Sequence, residues 1–273
     1  MKKFEGVLLC SDLDGTLLSG NKSVSEENLK AIEYFKSEGG RFTFITGRMP
    51  LFVSEFYNLI HPNAPIGCIN GGGIYDYAAG KYLWTQAADP SILDLVELVD
   101  KHLDGIGIQV NTFEHTYFCK DDPVMVWFRV ITGAKHLVRH YREIDEPIAK
   151  ILFGVGETES MKDLETLLRS HPAADRFDFV CSEKKLFEIL AKGINKGTLL
   201  VRMAEILKID LSKTVAVGDY NNDIAMLRAA GLGIAVANAC DAAKEAADHV
   251  TVSNEEHAIA RIISDLDTGI LKL

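Results

Sequence analysis

Two carboxylates lie one residue apart at the point where an apolar run near the N-terminus stops. The run Val7–Ser11 predicts a buried strand, and Asp12 and Asp14 follow it directly, with Gly15 supplying a bend. Carboxylates this close repel each other unless a cation or a shared proton relieves them. The pair therefore indicates a cation site or acid–base chemistry, and the alternative is that the two acids only cap a turn.

A hydroxyl, a glycine and a cation follow the next predicted strand, which covers Arg41–Ile45. These residues, Thr46, Gly47 and Arg48, precede a predicted helix whose start is marked by Pro50. A hydroxyl, a flexible glycine and a helix N-terminus suit an oxyanion or a phosphate. Thr46 also fits as the N-cap of that helix, and the two interpretations are compatible.

Two polar clusters late in the chain complete the set of candidate site residues. Lys196 lies in a glycine-containing loop before a predicted helix, where its ammonium is either close to a ligand or an ordinary solvated charge. The segment Gly218–Asp223 follows an apolar strand and offers hard oxygen ligands of the kind that Mg²⁺ prefers. Asn222 or Asp223 fits as the cap of the next helix, but that role does not explain Asp219.

Apolar runs of strand length alternate with helical patterns at both ends of the chain, which predicts βαβ units in one doubly wound parallel sheet. Ser25 fits as the N-cap of the first helix, which ends before Gly39. Ligands of such sheets bind beyond the carboxyl ends of the strands, where the polar clusters fall. The predicted strands of the sheet cover residues 7–11, 41–45, 65–69, 214–217, 233–236 and 249–252.

The middle of the chain follows a different pattern, so a mixed α/β module interrupts the first domain. A hairpin is predicted over residues 75–84, and a helix follows Asp89-Pro90. Further strands are predicted at 107–111, 116–119, 124–130, 150–155, 177–181 and 186–189, and helices at 134–142 and 161–170.

Composition and charge argue against several classes of protein. The 29 basic and 39 acidic residues give a net charge of −10, which disfavours a nucleic-acid binder. No apolar run has the length of a membrane span or a signal sequence, and no obligate protein partner is evident. The five cysteines are scattered and odd in number, which favours reduced thiols in the cytoplasm. An anionic ligand would need positive charge supplied locally.

Four short motifs occur in the order typical of the haloacid dehalogenase superfamily of phosphohydrolases, which this sequence resembles over essentially its whole length. They are DLDGT at Asp12–Thr16, TGR at Thr46–Arg48, Lys196, and GDYNND at Gly218–Asp223, and the stretches at 70–72 and 192–197 are also similar. The sequence most resembles the Cof-type group, in which a type IIB α/β cap is inserted between the second and third motifs. The resemblance implies a Rossmann-like core over residues 1–83 and 190–273 and a cap over 84–189.

The resemblance also implies a function: a Mg²⁺-dependent phosphatase that hydrolyses a small phosphorylated metabolite, such as a sugar phosphate, through an aspartyl-phosphate. Asp12 would be the nucleophile, and Asp14 would be the general acid and base, protonated at the start because nearby anionic charge favours that form. Mg²⁺ and Lys196 would supply the local positive charge, and Arg48 either adds to it or forms only a structural pair. The implied catalytic residues are Asp12, Asp14, Thr46 and Lys196; the phosphate-binding residues are Leu13, Thr46, Gly47, Arg48, Lys196 and Asn222; and the metal-binding residues are Asp12, Asp14 (through its backbone carbonyl), Asp219, Asn222 and Asp223.

Other functions stay open at this point. The alternatives are a phosphomutase or phosphotransferase of the same superfamily, a receiver-like phosphoacceptor module and a dehalogenase. The second acid and the large inserted module argue against the receiver-like module, and the second acid and the Mg²⁺ ligands argue against a dehalogenase. Candidates for leaving-group contacts in the cap are His115, Trp127, Arg129 and Glu188, although core packing fits Trp127 and a solvated face fits His115 and Arg129.

Overall fold

The computed structural model describes residues 2–156 and 158–273 of the chain. The chain divides into two compact units. One runs to Trp84 and resumes over Asn195–Leu273, and the other covers Thr85–Ile194. Among the described residues, no helix combines the length and the apolar character needed to cross a membrane.

Short strands and helices alternate along much of the described chain. The strands are β1 (Leu8–Ser11), β2 (Arg41–Phe44), β3 (Ile66–Cys68), β4 (Gly73–Asp76), β5 (Lys81–Thr85), β6 (Ile106–Thr112), β7 (Thr116–Lys120), β8 (Ile148–Val155), β9 (Phe177–Glu183), β10 (Leu186–Ala191), β11 (Thr214–Gly218), β12 (Leu232–Ala235) and β13 (His249–Val250). The α-helices are α1 (Glu26–Ser37), α2 (Ser54–Ile60), α3 (Ile92–His102), α4 (Pro123–Thr132), α5 (Thr158–Ser170), α6 (Lys196–Leu207), α7 (Ile224–Ala229), α8 (Asp241–Ala246) and α9 (Ala258–Asp267).

The first unit is built on a five-stranded parallel sheet with the strand order β13-β12-β11-β1-β2. All residues of β1 are buried, as expected for a central strand of a covered parallel sheet. Ser11 at the end of β1 is in register with Val217 of β11 and Phe44 of β2, so these three strands end at the same edge. The predicted α/β class with a parallel-sheet core is confirmed.

The segment predicted as the third strand of this sheet belongs to another sheet. β3 pairs antiparallel with β4 in the three-stranded sheet β3-β4-β5, and an isolated parallel bridge joins Ile45 to Gly67. The chain reverses after β3 because Ile69, Asn70 and Gly71 have positive φ values of 60°, 50° and 116°. The prediction of a parallel strand over 65–69 is therefore wrong in its pairing, whereas the predicted hairpin is present as β4 and β5.

The second unit contains a five-stranded sheet with the order β7-β6-β8-β10-β9, in which neighbouring strands are antiparallel. Apolar side chains of α3 and α5 pack with one set of strand residues in a large core. A smaller apolar cluster contains Val124 and Met125 of α4 together with Leu152 of β8. This composition agrees with the predicted mixed α/β module.

The segment 124–130, predicted as a strand, lies instead in α4. Its run of valine and aromatic residues is typical of strands, which explains the wrong prediction. The helix forms because both of its ends are capped: the Asp122 carboxylate accepts a hydrogen bond from the Met125 N–H (2.6 Å), and Pro123 occupies the first helical position. Gly133 ends the helix in the left-handed conformation.

The segment 134–142 is predicted as a helix, but in the structure it lies alongside β7 and pairs with that strand at Leu137. The Phe118 N–H donates a hydrogen bond to the carbonyl of Leu137 (2.9 Å), and a short 3₁₀ turn covers Tyr141–Glu143. β7 is the edge strand of its sheet, so its backbone offers hydrogen-bonding groups that this segment uses. This tertiary pairing outweighs the helical spacing of the apolar residues.

The cap assignment of Asp122 leads to a stability prediction. Asp122→Ala removes the N-cap of α4, so we expect the free energy of unfolding, measured by urea denaturation, to fall by about 1 kcal/mol. The control is Asp121→Ala, which removes an ion pair with Arg129 and should cost less than about 0.5 kcal/mol. Equal losses for the two variants would contradict the capping role.

Candidate active site

A buried ammonium joins two carboxylates at the carboxyl end of the parallel sheet. Lys196 Nζ lies 2.6 Å from Asp12 Oδ1, directly after β1, and 2.6 Å from Asp223 Oδ1, after β11. The exposed fractions of these side chains are 1% for Lys196, 9% for Asp12 and 0% for Asp223. The alternative of a solvated loop lysine is therefore wrong.

The start of α6 places Lys196 in this position. Asn195 caps the helix by accepting a hydrogen bond from the Thr198 N–H (2.9 Å), and the Thr198 hydroxyl accepts one from the Asn195 N–H (3.2 Å). Gly197 lets α6 approach α7, because a Cβ there would lie 2.3 Å from the carbonyl oxygen of Ala225. The cap at Asn195 and the close packing at Gly197 thus fix the first turn of α6, which carries the ammonium.

The loops after β1 and β11 pack against each other. Asp219 Oδ1 accepts a hydrogen bond from the Thr16 hydroxyl (2.7 Å), and a Cβ on Gly15 would lie 2.5 Å from Asp219 Oδ2. The other oxygen of Asp223, Oδ2, accepts from the N–H groups of Asp219 (2.9 Å) and Tyr220 (3.1 Å). Asp223 therefore shapes the late loop as well as binding the ammonium.

The acidic residues of this cluster fit a divalent cation. Oxygen atoms of Asp12, Asp219 and Asp223 lie within 4.8 Å of one another, and the Lys196 ammonium forms ion pairs with two of these residues, Asp12 and Asp223. Burial raises the pKa of Asp12 well above its ordinary value. The Lys196 charge partly offsets this rise, and the neighbouring carboxylates add to it. Burial and the Asp223 charge raise the pKa of Asp219 to about 6. Such excess negative charge on hard oxygen donors suits Mg²⁺.

The carboxylate of Asp14 is bound by two cations. Arg48 donates from Nε to Asp14 Oδ2 (2.8 Å) and from Nη2 to Oδ1 (2.7 Å), and Lys22 Nζ donates to Oδ1 (2.7 Å). Burial alone would raise the pKa of Asp14, but the hydrogen bonds and charges of Arg48 and Lys22 outweigh it and lower the pKa. These cations favour the ionised carboxylate of Asp14, whereas the sequence led us to expect a protonated carboxyl, and the Arg48 guanidinium forms an ion pair with it.

The loop after β2 carries the second motif. Thr46 is buried, and its hydroxyl accepts a hydrogen bond from the Arg48 N–H (3.2 Å). The interpretation of Thr46 as a helix N-cap is wrong, because the following helical turn begins only at Pro50. Leu13, expected to contact phosphate, has a fully buried side chain, so only its backbone could make that contact.

An asparagine pair joins the fourth motif to the turn after β3. Asn222 Nδ2 donates a hydrogen bond to Asn70 Oδ1 (3.0 Å), and Asn70 is buried. A Cβ on Gly47 would lie 2.9 Å from both terminal atoms of the Asn70 amide. Gly47 is therefore required for close approach of this amide, rather than for the flexibility expected from the sequence.

The candidate residues for leaving-group contacts all belong to the second unit. Trp127 is 46% exposed, so the core-packing alternative for it is wrong. Arg129 pairs with Asp121 at 2.9 Å, and His115 Nδ1 lies 2.9 Å from Glu146 Oε2. Glu188 is buried, and its Oε2 accepts from Lys150 Nζ at 3.0 Å.

Sequence reasoning assigned no role to three side chains that contact the site residues, Thr16, Lys22 and Asn70. Thr16 and Asn70 lie in stretches that match the superfamily motifs, so the motif pattern itself pointed to them. Lys22 lies outside every motif. Only the fold of the loop after β1 brings its ammonium to Asp14.

Comparison with known proteins identifies the family. Residues 9–263 match the model of the haloacid dehalogenase-like hydrolase family, so the chain belongs to this family. It is 30% identical over 289 residues to 5-amino-6-(5-phospho-D-ribitylamino)uracil phosphatase YwtE of Bacillus subtilis (strain 168), covering 94% of this chain and 97% of that protein. It is 27% identical over 273 residues to pyridoxal phosphate phosphatase YbhA of Escherichia coli (strain K12), with coverage of 94% and 97%.

The fold comparison agrees. A solved haloacid dehalogenase-like hydrolase from B. subtilis superimposes with a TM-score of 0.81 at 27% identity, covering 97% of this chain and 99% of that chain. The resemblance to the haloacid dehalogenase superfamily is therefore confirmed. The predicted class of enzyme, a phosphoric monoester hydrolase, is confirmed as well, since both relatives above are named phosphatases.

The raised pKa of Asp219 leads to a prediction about stability in a buffer with EDTA. A carboxyl whose pKa is about 6 when folded and near 3.8 when unfolded binds more protons in the folded state between these values. The stability of the wild type relative to Asp219→Asn should therefore fall by roughly 2 to 3 kcal/mol from pH 4 to pH 7. Urea denaturation across this range measures it, and a pH-independent difference would contradict the shift.

Proposed function

We propose that this enzyme is a Mg²⁺-dependent phosphatase that releases phosphate from a small phosphorylated metabolite through an aspartyl-phosphate on Asp12. The observation that carries the proposal is the cluster of Asp12, Asp219 and Asp223 at the carboxyl ends of parallel strands, in which Asp12 and Asp223 bind the buried Lys196 ammonium. The names of the two relatives support the substrate class, because each names a small phosphorylated metabolite.

We propose further that the two compact units correspond to the core, expected over residues 1–83 and 190–273, and to the cap, expected over 84–189. The superfamily resemblance supports this division. The five cysteines are free thiols, which supports the proposed location in the cytoplasm, where thiols stay reduced.

In this proposal Asp12 is the nucleophile. Its carboxylate oxygen forms a bond to phosphorus while the bond from phosphorus to the leaving oxygen breaks. The Lys196 ammonium, already 2.6 Å from Asp12 Oδ1, stabilises negative charge on the nucleophile and the transferring group. Burial keeps this charge pair away from water, which strengthens it.

A cation would be held by the side chains of Asp12 and Asp219 and by the backbone carbonyl of Asp14. When bound, Mg²⁺ supplies positive charge that polarises the phosphoryl oxygens. Asp223 would orient these ligands rather than replace them, because its two oxygens already bind Lys196 and the backbone of the late loop. Asn222 would bind or support the cation at the same carboxyl edge of the parallel sheet.

Asp14 would protonate the leaving oxygen and then accept a proton from the water that cleaves the aspartyl-phosphate. Its ion pair with Arg48 and Lys22 has to open first, because these cations hold it ionised. A phosphate dianion competes for the same Arg48 guanidinium, so substrate binding would release Asp14 from Arg48 and give Arg48 its phosphate contact. The released carboxylate, now beside the phosphate charge, would take up a proton from solvent, and this is the proton that it gives to the leaving oxygen. Thr46 and the backbone at Gly47 would bind the remaining phosphoryl oxygens.

The role of Asp12 is tested by substitution. We expect Asp12→Asn to lower the Mg²⁺-dependent release of phosphate from p-nitrophenyl phosphate by about 10³-fold or more, because the amide is a poor nucleophile. The control is Asp104→Asn, an exposed residue of the second unit, which should stay within about twofold of the wild type.

Two outcomes would contradict the proposal. Turnover retained by Asp12→Asn would remove Asp12 from the nucleophile role. A screen of phosphorylated metabolites, including pyridoxal phosphate and sugar phosphates, that yields phosphoryl transfer between positions of one molecule without free phosphate would assign a mutase instead.

A further inference from the structure

Three consecutive residues after β3, Ile69, Asn70 and Gly71, form a left-handed turn with φ values of 60°, 50° and 116°. Asparagine and glycine tolerate positive φ, but a β-branched residue such as isoleucine rarely adopts it. Strained backbone of this kind persists where the surrounding structure enforces it, and it is concentrated at functional sites. The contacts of the left-handed turn show what enforces the strain.

Backbone hydrogen bonds tie the left-handed turn to the loop that carries the second motif. The Ile69 N–H donates to the carbonyl of Arg48 (3.1 Å), and the Asn70 N–H donates to the carbonyl of Thr46 (3.1 Å). The Asn70 amide also lies against Gly47, where a Cβ would come within 2.9 Å of it. The turn therefore supports the loop that is proposed to bind phosphate.

The same turn contacts the third and fourth motifs. A Cβ on Gly71 would lie 2.4 Å from the carbonyl oxygen of Asn195, the residue before Lys196. The Asn70 side chain accepts the hydrogen bond from Asn222 Nδ2 (3.0 Å). One three-residue turn thus touches the segments that carry three of the four motifs, which lie far apart in the sequence.

We propose that Asn70 is a positioning residue of the active site, which sets the orientation of the Asn222 amide and the loop at Gly47. The inference rests on the proposed function. The hydrogen bond commits the Asn222 NH₂ to Asn70, so the carbonyl oxygen of Asn222 points the other way. Oxygen is the atom that a cation or a donor on a substrate group requires, and a freely rotating amide would present the wrong end part of the time.

The left-handed conformation of Asn70 permits a clean separation of its backbone from its side chain. Asn70→Gly keeps positive φ without strain and removes the side chain with its amide. Lys208→Gly is the matched control, since Lys208 also has positive φ (56°) and is exposed, at the end of α6. Any general effect of a left-handed glycine appears in both variants.

We expect Asn70→Gly to lower kcat/KM for p-nitrophenyl phosphate about 10-fold or more, while its melting temperature stays within about 3 °C of the wild type. Lys208→Gly should leave both quantities unchanged within these limits. A readout independent of activity is the Mg²⁺ concentration that gives half of the Mg²⁺-induced shift in melting temperature. We expect it to rise several-fold in Asn70→Gly, because Asn222 is no longer oriented.

A double-mutant cycle with Asn222→Ala tests whether the two residues act together. If Asn70 acts through Asn222, Asn70→Gly in the Asn222→Ala background should lower kcat/KM by much less than it does alone. Effects that multiply would show independent roles and overturn the inference.

Two further results would overturn it. Asn70→Gly within about twofold of wild-type kcat/KM would remove the positioning role. A loss of activity that follows a fall in melting temperature would show a merely structural one. Absence of Mg²⁺-dependent phosphate release by the wild type would overturn the proposed function and this inference together, whereas an active wild type with an equally active Asn70→Gly overturns this inference alone.

Discussion

The candidate active site depends on the ion pairs that the buried ammonium of Lys196 forms. It binds the carboxylates of Asp12 and Asp223. These groups come together only when β1, β11 and α6 are all in place. Buried charges without partners cost several kcal/mol, so these three groups are tolerated only as a set. Asp219 adds a third carboxyl group within 4.8 Å, and a cation would relieve the repulsion among these acids. In the proposed function, this local positive charge is what would let a chain with a net charge of −10 bind a phosphate.

Close approach of backbone segments is the second constraint. Gly15 makes room for Asp219, Gly47 for the amide of Asn70, and Gly71 for the backbone of Asn195. Each of these glycines brings residues from loops that are distant in the sequence into close contact. The site is thus assembled by contacts between loops that leave parallel strands at one edge of the sheet, and the strained turn at Ile69 holds several of these loops together.

The parallel core and its polar edge could be predicted from the sequence, because strand-length apolar runs ending in acids and glycines indicate both the elements and where they end. The pairing partners of the individual segments could not be predicted from the sequence. The β3 segment reads as one more parallel strand until the turn at Ile69 is known, and 134–142 reads as a helix until the edge of β7 is known. The salt bridges of Asp14 could not be predicted either, since Lys22 belongs to no motif and the sequence left the role of Arg48 open.

The account is tested most directly by anomalous diffraction from crystals soaked with Mn²⁺, which takes the same oxygen ligands as Mg²⁺. It predicts a strong anomalous peak within coordination distance of side-chain oxygens of both Asp12 and Asp219. A fully soaked crystal with no peak there, or with an ion bound only elsewhere, would contradict the central claim that the cluster around Lys196 is a cation site.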